Sequence, residues 1–111
     1  MEYGKFGKLG SSYPESGVPD VVYEVPITCK GTEVNVNIVN TSLTAVKVWM
    51  YITDKETPEQ IDSFEFGTPM SPSTVIVRNR EKCSPGEKIV FISSPKGAVM
   101  RVSGLEGNIG G

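Results

Sequence analysis

The chain has 111 residues, enough for one domain with a single core and too few for two. It carries 11 basic against 13 acidic residues, a net charge of -2, which argues against the basic stripe of a nucleic-acid binder. There is no histidine and there are only two cysteines, which removes the usual general base, the commonest metal ligand, a disulfide scaffold and a four-ligand zinc site.

Residues 1–20 are punctuated by Gly4, Gly7, Gly10, Gly17, Pro14 and Pro19, which interrupt any regular element. Tyr3, Phe6, Leu9 and Tyr13 are spread among them. A frayed terminus has no need of four large apolar side chains. The expectation is an extended docking arm that sets them on a neighbouring subunit as assembly contacts. Removing such an arm should leave the remainder folded.

Seven strand-like runs follow: 21–25, 33–39, 44–53, 61–66, 74–79, 88–93 and 98–103. In the second, Val34, Val36 and Ile38 alternate with Asn35 and Asn37. In the third, Val46, Val48, Met50 and Ile52 share one face, and Ala45, Lys47, Trp49 and Tyr51 the other. Such period-2 alternation marks a half-buried strand. The separators at 29–31, 40–42, 67–69, 84–86 and 94–97 are rich in turn residues. The segment 54–60 is short, contains Pro58 and reads as a loop. With 14 Val, 8 Ile and 8 Thr against 3 Leu and 2 Ala, composition favours the pleated sheet over the helix.

These signals predict an all-β domain of about seven strands. The expected form is an antiparallel β-sandwich, immunoglobulin-like or jelly-roll-like, with an extended N-terminal arm; a barrel is the alternative. The divisions are an arm at 1–20, a sandwich at 21–106 and a flexible Gly-rich tail at 107–111. Charged residues, Pro or Gly interrupt every apolar run, so no membrane span is expected. The N-terminus lacks a basic segment followed by an apolar stretch, so the expected compartment of synthesis is the cytoplasm.

Little in the chain suggests catalysis. A Ser or Cys nucleophile lacks its usual activating base. Asp62 and Glu65 lie three apart on an expected strand and so point to opposite faces. Asp54, Glu56, Glu59 and Asp62 lack the ligand alternation of a calcium loop. Arg78, Arg80 and Lys82 are interrupted by Glu81 and read as a solvated loop rather than a phosphate site. The expectation is no enzyme, no cofactor and no metal. Cys29 and Cys83 fall in loops at one end of a sandwich whose strands alternate, which allows a disulfide or two free thiols. Trp49 and Tyr51 form either a surface for a partner or sugar, or part of a strand covered on both sides.

The order of motifs adds a resemblance. Gly7-Lys8-Leu9-Gly10 is followed by Tyr23-Glu24-Val25-Pro26 and Val34-Asn35-Val36-Asn37-Ile38-Val39-Asn40. After the alternating strand at 46–52 come Ile61-Asp62-Ser63-Phe64-Glu65, Ser84-Pro85-Gly86-Glu87-Lys88-Ile89-Val90 and Val99-Met100-Arg101-Val102-Ser103-Gly104. Over residues 7–106 this resembles small β-sandwich virion structural proteins of tailed bacteriophages, of the capsid-decoration or tail- and fibre-associated type. The resemblance implies a subunit present in many copies on a virion assembled in the bacterial cytoplasm. Its partners would be major capsid or tail proteins and further copies of itself, as a trimer or hexamer, with neither nucleic acid nor membrane. A carbohydrate- or receptor-binding module of a tail fibre is the alternative.

Overall fold

A computed structural model describes residues 2–3 and 6–109. The chain forms ten strands: β1 (Glu2–Tyr3), β2 (Phe6–Ser12), β3 (Asp20–Glu24), β4 (Thr32–Asn40), β5 (Val46–Thr53), β6 (Ser63–Met70), β7 (Val75–Cys83), β8 (Lys88–Ser94), β9 (Ala98–Glu106) and β10 (Asn108–Ile109). Eight of them build two four-stranded antiparallel sheets. The first has the order β2-β9-β4-β7 and the second β3-β8-β5-β6, while β1 and β10 form a separate pair. The only helical element among the described residues is a 3-10 turn at Gln60–Asp62. Among the described residues no helix is long and apolar enough to cross a membrane.

The pairing is nested. β5 pairs with β6, β4 with β7, β3 with β8, β2 with β9 and β1 with β10. The chain is thus one long antiparallel ribbon, rolled until β4 meets β9 and β5 meets β8. Only the β5–β6 connection stays within a sheet of the sandwich; the other links between its strands cross from one sheet to the other.

The inward faces are those the alternation marks. Val34, Val36 and Ile38 of β4 meet Val46, Val48, Met50 and Ile52 of β5, with Ile89 and Phe91 of β8 and Ala98, Met100 and Val102 of β9 in the same cluster. The two lateral sides close differently. On one, β2 crosses β3 so tightly that a Cβ on Gly10 would sit 2.2 Å from the Val22 carbonyl oxygen; only glycine fits there. On the other, the Arg78 guanidinium of β7 reaches the second sheet, donating to the Phe64 carbonyl at 2.7 Å and to the Glu65 carboxylate.

Two expectations change. There are eight sandwich strands rather than seven, because residues 6–12 form a strand. The arm expected over 1–20 therefore does not stand apart from the sandwich: β2 pairs with β9 from Phe6 to Ser12, and Leu9 is buried in the core. Glycines masked this strand in the sequence, although they are what allow its left-handed turn at Gly7 (φ 105°) and its close approach at Gly10. The tail boundary also moves, since Asn108 and Ile109 pair with β1.

Candidate functional site

The outer face of the second sheet is apolar across two adjacent rows. In one, Val21 of β3, Val90 of β8 and Tyr51 of β5 are successive ladder partners. In the next, Ile92 of β8, Trp49 of β5 and Phe66 of β6 are. Cross-strand partners point to the same face, and Ile89 and Phe91, which flank Val90, belong to the core. These six side chains therefore point away from the core. Val21 is 50% exposed and Phe66 54%, at the two margins. Trp49, Tyr51 and Ile92 are half-buried, and Val90 in the middle is buried although it lies outside the core cluster. The patch is closed at one end by Ser94, Lys47 and Pro69, and at the other by Glu24, Lys88 and Thr53.

The indole has its place because of a bulge. β6 carries an extra residue between Phe66 and Thr68 opposite β5. That residue is Gly67, with φ 65°, and the Trp49 ring lies 3.7 Å from where its Cβ would be. Any side chain at this φ would be strained. The neighbouring Tyr51 phenol has its pKa raised by burial, which keeps it neutral.

Trp49 and Tyr51 lie half-buried on the outward face of a strand internal to its sheet, a face shared with four side chains that the sequence alone did not assign to it. Phe66 lay in a run recognised as a strand, but its pairing with Trp49 is non-local information. The expected arm residues do not form one site. Leu9 is in the core. Tyr13 is exposed, with the Lys96 ammonium 4.5 Å from its ring centroid. The side chains of Tyr3 and Phe6 lie outside the described residues.

Cys29 and Cys83 are both buried free thiols. Cys83 is the last residue of β7, opposite Thr32, rather than in a loop. Burial pushes its thiol up to about 12, helped by Glu87 and Glu81, so it is not a nucleophile at neutral pH. The Cys29 sulfur lies 3.6 Å from the Gly31 carbonyl. Beside them is a polar cluster the sequence did not signal. The Tyr23 hydroxyl donates to Glu106 at 2.6 Å and sits 3.0 Å from the Thr32 hydroxyl, all three residues being buried. Burial, then Glu106, raises the Tyr23 pKa.

No family model, curated protein or solved structure matches the chain.

The remaining sequence candidates resolve into structural contacts. Arg78 is committed to Glu65, and Arg80 donates to Glu33 at 3.1 Å, so the two arginines of the basic cluster are paired across strands and sheets. Glu59 and Asp62 bond each other's backbone around the 3-10 turn. Among the described residues no three Cys, Asp or Glu side chains gather as a metal site would require. A shallow open depression crosses the first sheet, lined by Gly7, Glu33, Asn35, Ser103, Gly104 and Leu105. It is wide at the mouth and holds no convergent acid–base pair.

Proposed function

We propose that this chain is a non-enzymatic structural subunit of a bacteriophage virion. It docks in many copies on a major capsid or tail protein, as a capsid decoration protein or a tail-collar accessory. The observation that carries the reading is the six-residue apolar face on the outside of the second sheet. Contiguous apolar patches of this kind mark interaction surfaces, and this one lies on a rigid sheet rather than on a mobile loop. The strand order supports it. Nested pairing of eight strands into two such sheets fits the jelly roll, an architecture recurrent in viral capsid domains and in lectins. Fold alone does not assign a function; the sequence resemblance to phage virion proteins points the same way. The buried thiols and the paired charges supply no activated nucleophile.

The outward rings of Trp49, Tyr51 and Phe66 also favour a second reading, a carbohydrate-binding face of a tail-fibre module. The two rows hold aliphatic residues beside the rings and no carboxylate or amide to take up sugar hydroxyls. That composition fits a protein surface better. Quantitative mass spectrometry of density-purified virions, from the host that carries this chain, tests the proposal. Many copies per particle are expected, and absence from particles overturns it. Glycan binding lost in Trp49→Ala would move the assignment to the second reading.

A further inference from the structure

We infer that β2 is an exchangeable strand: the slot it fills along β9 is an interaction surface that takes residues 6–12 of a second copy of this chain. The occupant is identified by the segment already seated there, which pairs with β9 from Phe6↔Leu105 to Ser12↔Met100. A second copy offers the same segment in the same register.

Three observations make this strand the one to leave. First, β2 lies in the outermost layer of the nested ribbon. It pairs only with β9, and β1 only with β10, so lifting residues 2–12 breaks none of the pairs among β3 to β9. Second, few described side chains hold β2: the buried Ser12 hydroxyl donates to Asp20 at 2.5 Å. Leu9 is its one buried hydrophobic among the described side chains. The strand also contains Gly7 and Gly10 and shifts register between Lys8 and Gly10. Glycine within a strand weakens it.

Third, the hinge is short and stiff. Residues 15–18 are fastened to their own subunit: Lys96 donates to Glu15 at 2.7 Å, Gly17 N–H to the Ser93 carbonyl at 2.8 Å, and Val18 N–H to the Glu15 carbonyl at 3.1 Å. Any pivot is thereby confined to Tyr13 and Pro14. Proline biases the residue before it towards an extended backbone, which keeps this connection from folding into a tight turn. Shortness of the connection is the feature of a hinge that favours exchange over closure. Exchanged and closed forms make the same contacts, so concentration decides between them, and the exchange closes as a dimer or a ring.

The test uses three full-length variants: the single variants Ser11→Cys and Arg101→Cys, which are the two chains to be mixed, and the double variant carrying both. Their positions are exposed ladder partners on β2 and β9. The two chains are mixed unfolded, refolded together over a range of concentrations and oxidised with glutathione disulfide. The expected result is a heterodimer linked between positions 11 and 101, mapped by peptide mass spectrometry. Its yield should rise with concentration, and the unlinked wild-type chain should shift by light scattering from 12.0 kDa to a dimer or larger. The double variant, alone and dilute, should close its disulfide within one chain. If it does so while the mixture stays unlinked and the wild type stays monomeric at every concentration, the inference is overturned. It is also overturned if the double variant forms no bond between these positions, or if the mixed link maps to Cys29 or Cys83. None of these outcomes bears on virion composition, so the function proposed above stands or falls separately.

Discussion

Val36 and Arg78 are ladder partners between β4 and β7, and they set two different demands on the core. Val36 is fully buried. An aspartate there would place a carboxylate among aliphatic side chains, at a cost of several kcal/mol against a typical domain stability of about 5–15 kcal/mol. Val36→Asp should therefore abolish the cooperative thermal transition seen by circular dichroism; a wild-type melt would refute the assignment of this face to the core. Arg78 instead neutralises Glu65, a carboxylate only 8% exposed. Arg78→Met leaves that charge buried without its partner. Since the guanidinium itself is partly in solvent, the expected loss is about 2–3 kcal/mol in urea unfolding, with part of it recovered in Arg78→Met/Glu65→Gln. The Cys83 thiol gives a pH signature. In the fold it keeps its proton up to about 12, above its ordinary value of 9.0, so between these limits the unfolded chain binds fewer protons and stability falls as pH rises. Tyr23, also raised, adds to the fall above its ordinary 10.0. From neutral pH upwards, urea midpoints should hold steady to pH 9 and decline above it, less steeply in Cys83→Ala.

Strands differ in how plainly the sequence announces them. β4 and β5 could be read residue by residue, because one face of each is aliphatic and the period of two is unbroken. β9 and β7 were found but cut short: the alternation stops at Ser103 and Asn79, while the ladders run on through Gly104 and through the bulge at Arg80, whose φ of 60° is rare for a non-glycine residue. The Arg80 N–H, which donates to the Asn35 side chain at 2.9 Å, helps to hold that bulge. β2 reads locally as an arm because its glycines resemble a linker; Gly7 serves a positive φ and Gly10 the close passage over β3, the latter a tertiary fact that no local pattern contains. The consequence is testable. Deleting residues 1–12 removes Leu9 from the core and uncovers the edge of β9, so the sandwich should lose about 2–4 kcal/mol of stability, mostly from the buried leucine. A truncated chain that unfolds at the same urea concentration as the full chain would restore the picture of a free arm.

For the molecule as a whole, the rolled ribbon leaves its two sheets unlike on the outside. The first mixes Glu33, Asn35, Asn37 and Arg101 with the exposed Val75, Val77 and Leu105 and carries no aromatic ring among them. The second presents Trp49, Tyr51 and Phe66 with three aliphatic neighbours. Local alternation put Trp49 and Tyr51 on one face, but which strands flank them depends on the roll, so the extent of the patch was not readable from the chain. Because the patch lies opposite the core, it can be altered without touching the fold. Trp49→Lys/Phe66→Lys places two ammonium groups in one row beside Ile92. Both side chains can reach solvent, so the expected change in stability is within about 1 kcal/mol. Against a partner surface the same charges would be desolvated without counter-ions, a penalty that removes binding rather than weakening it slightly. The double variant should therefore melt near the wild type and yet be missing from purified virions when supplied in place of the native chain. Incorporation at wild-type copy number would show that the particle is gripped elsewhere, and the free margins of β6 and β7 would then be the next surface to alter.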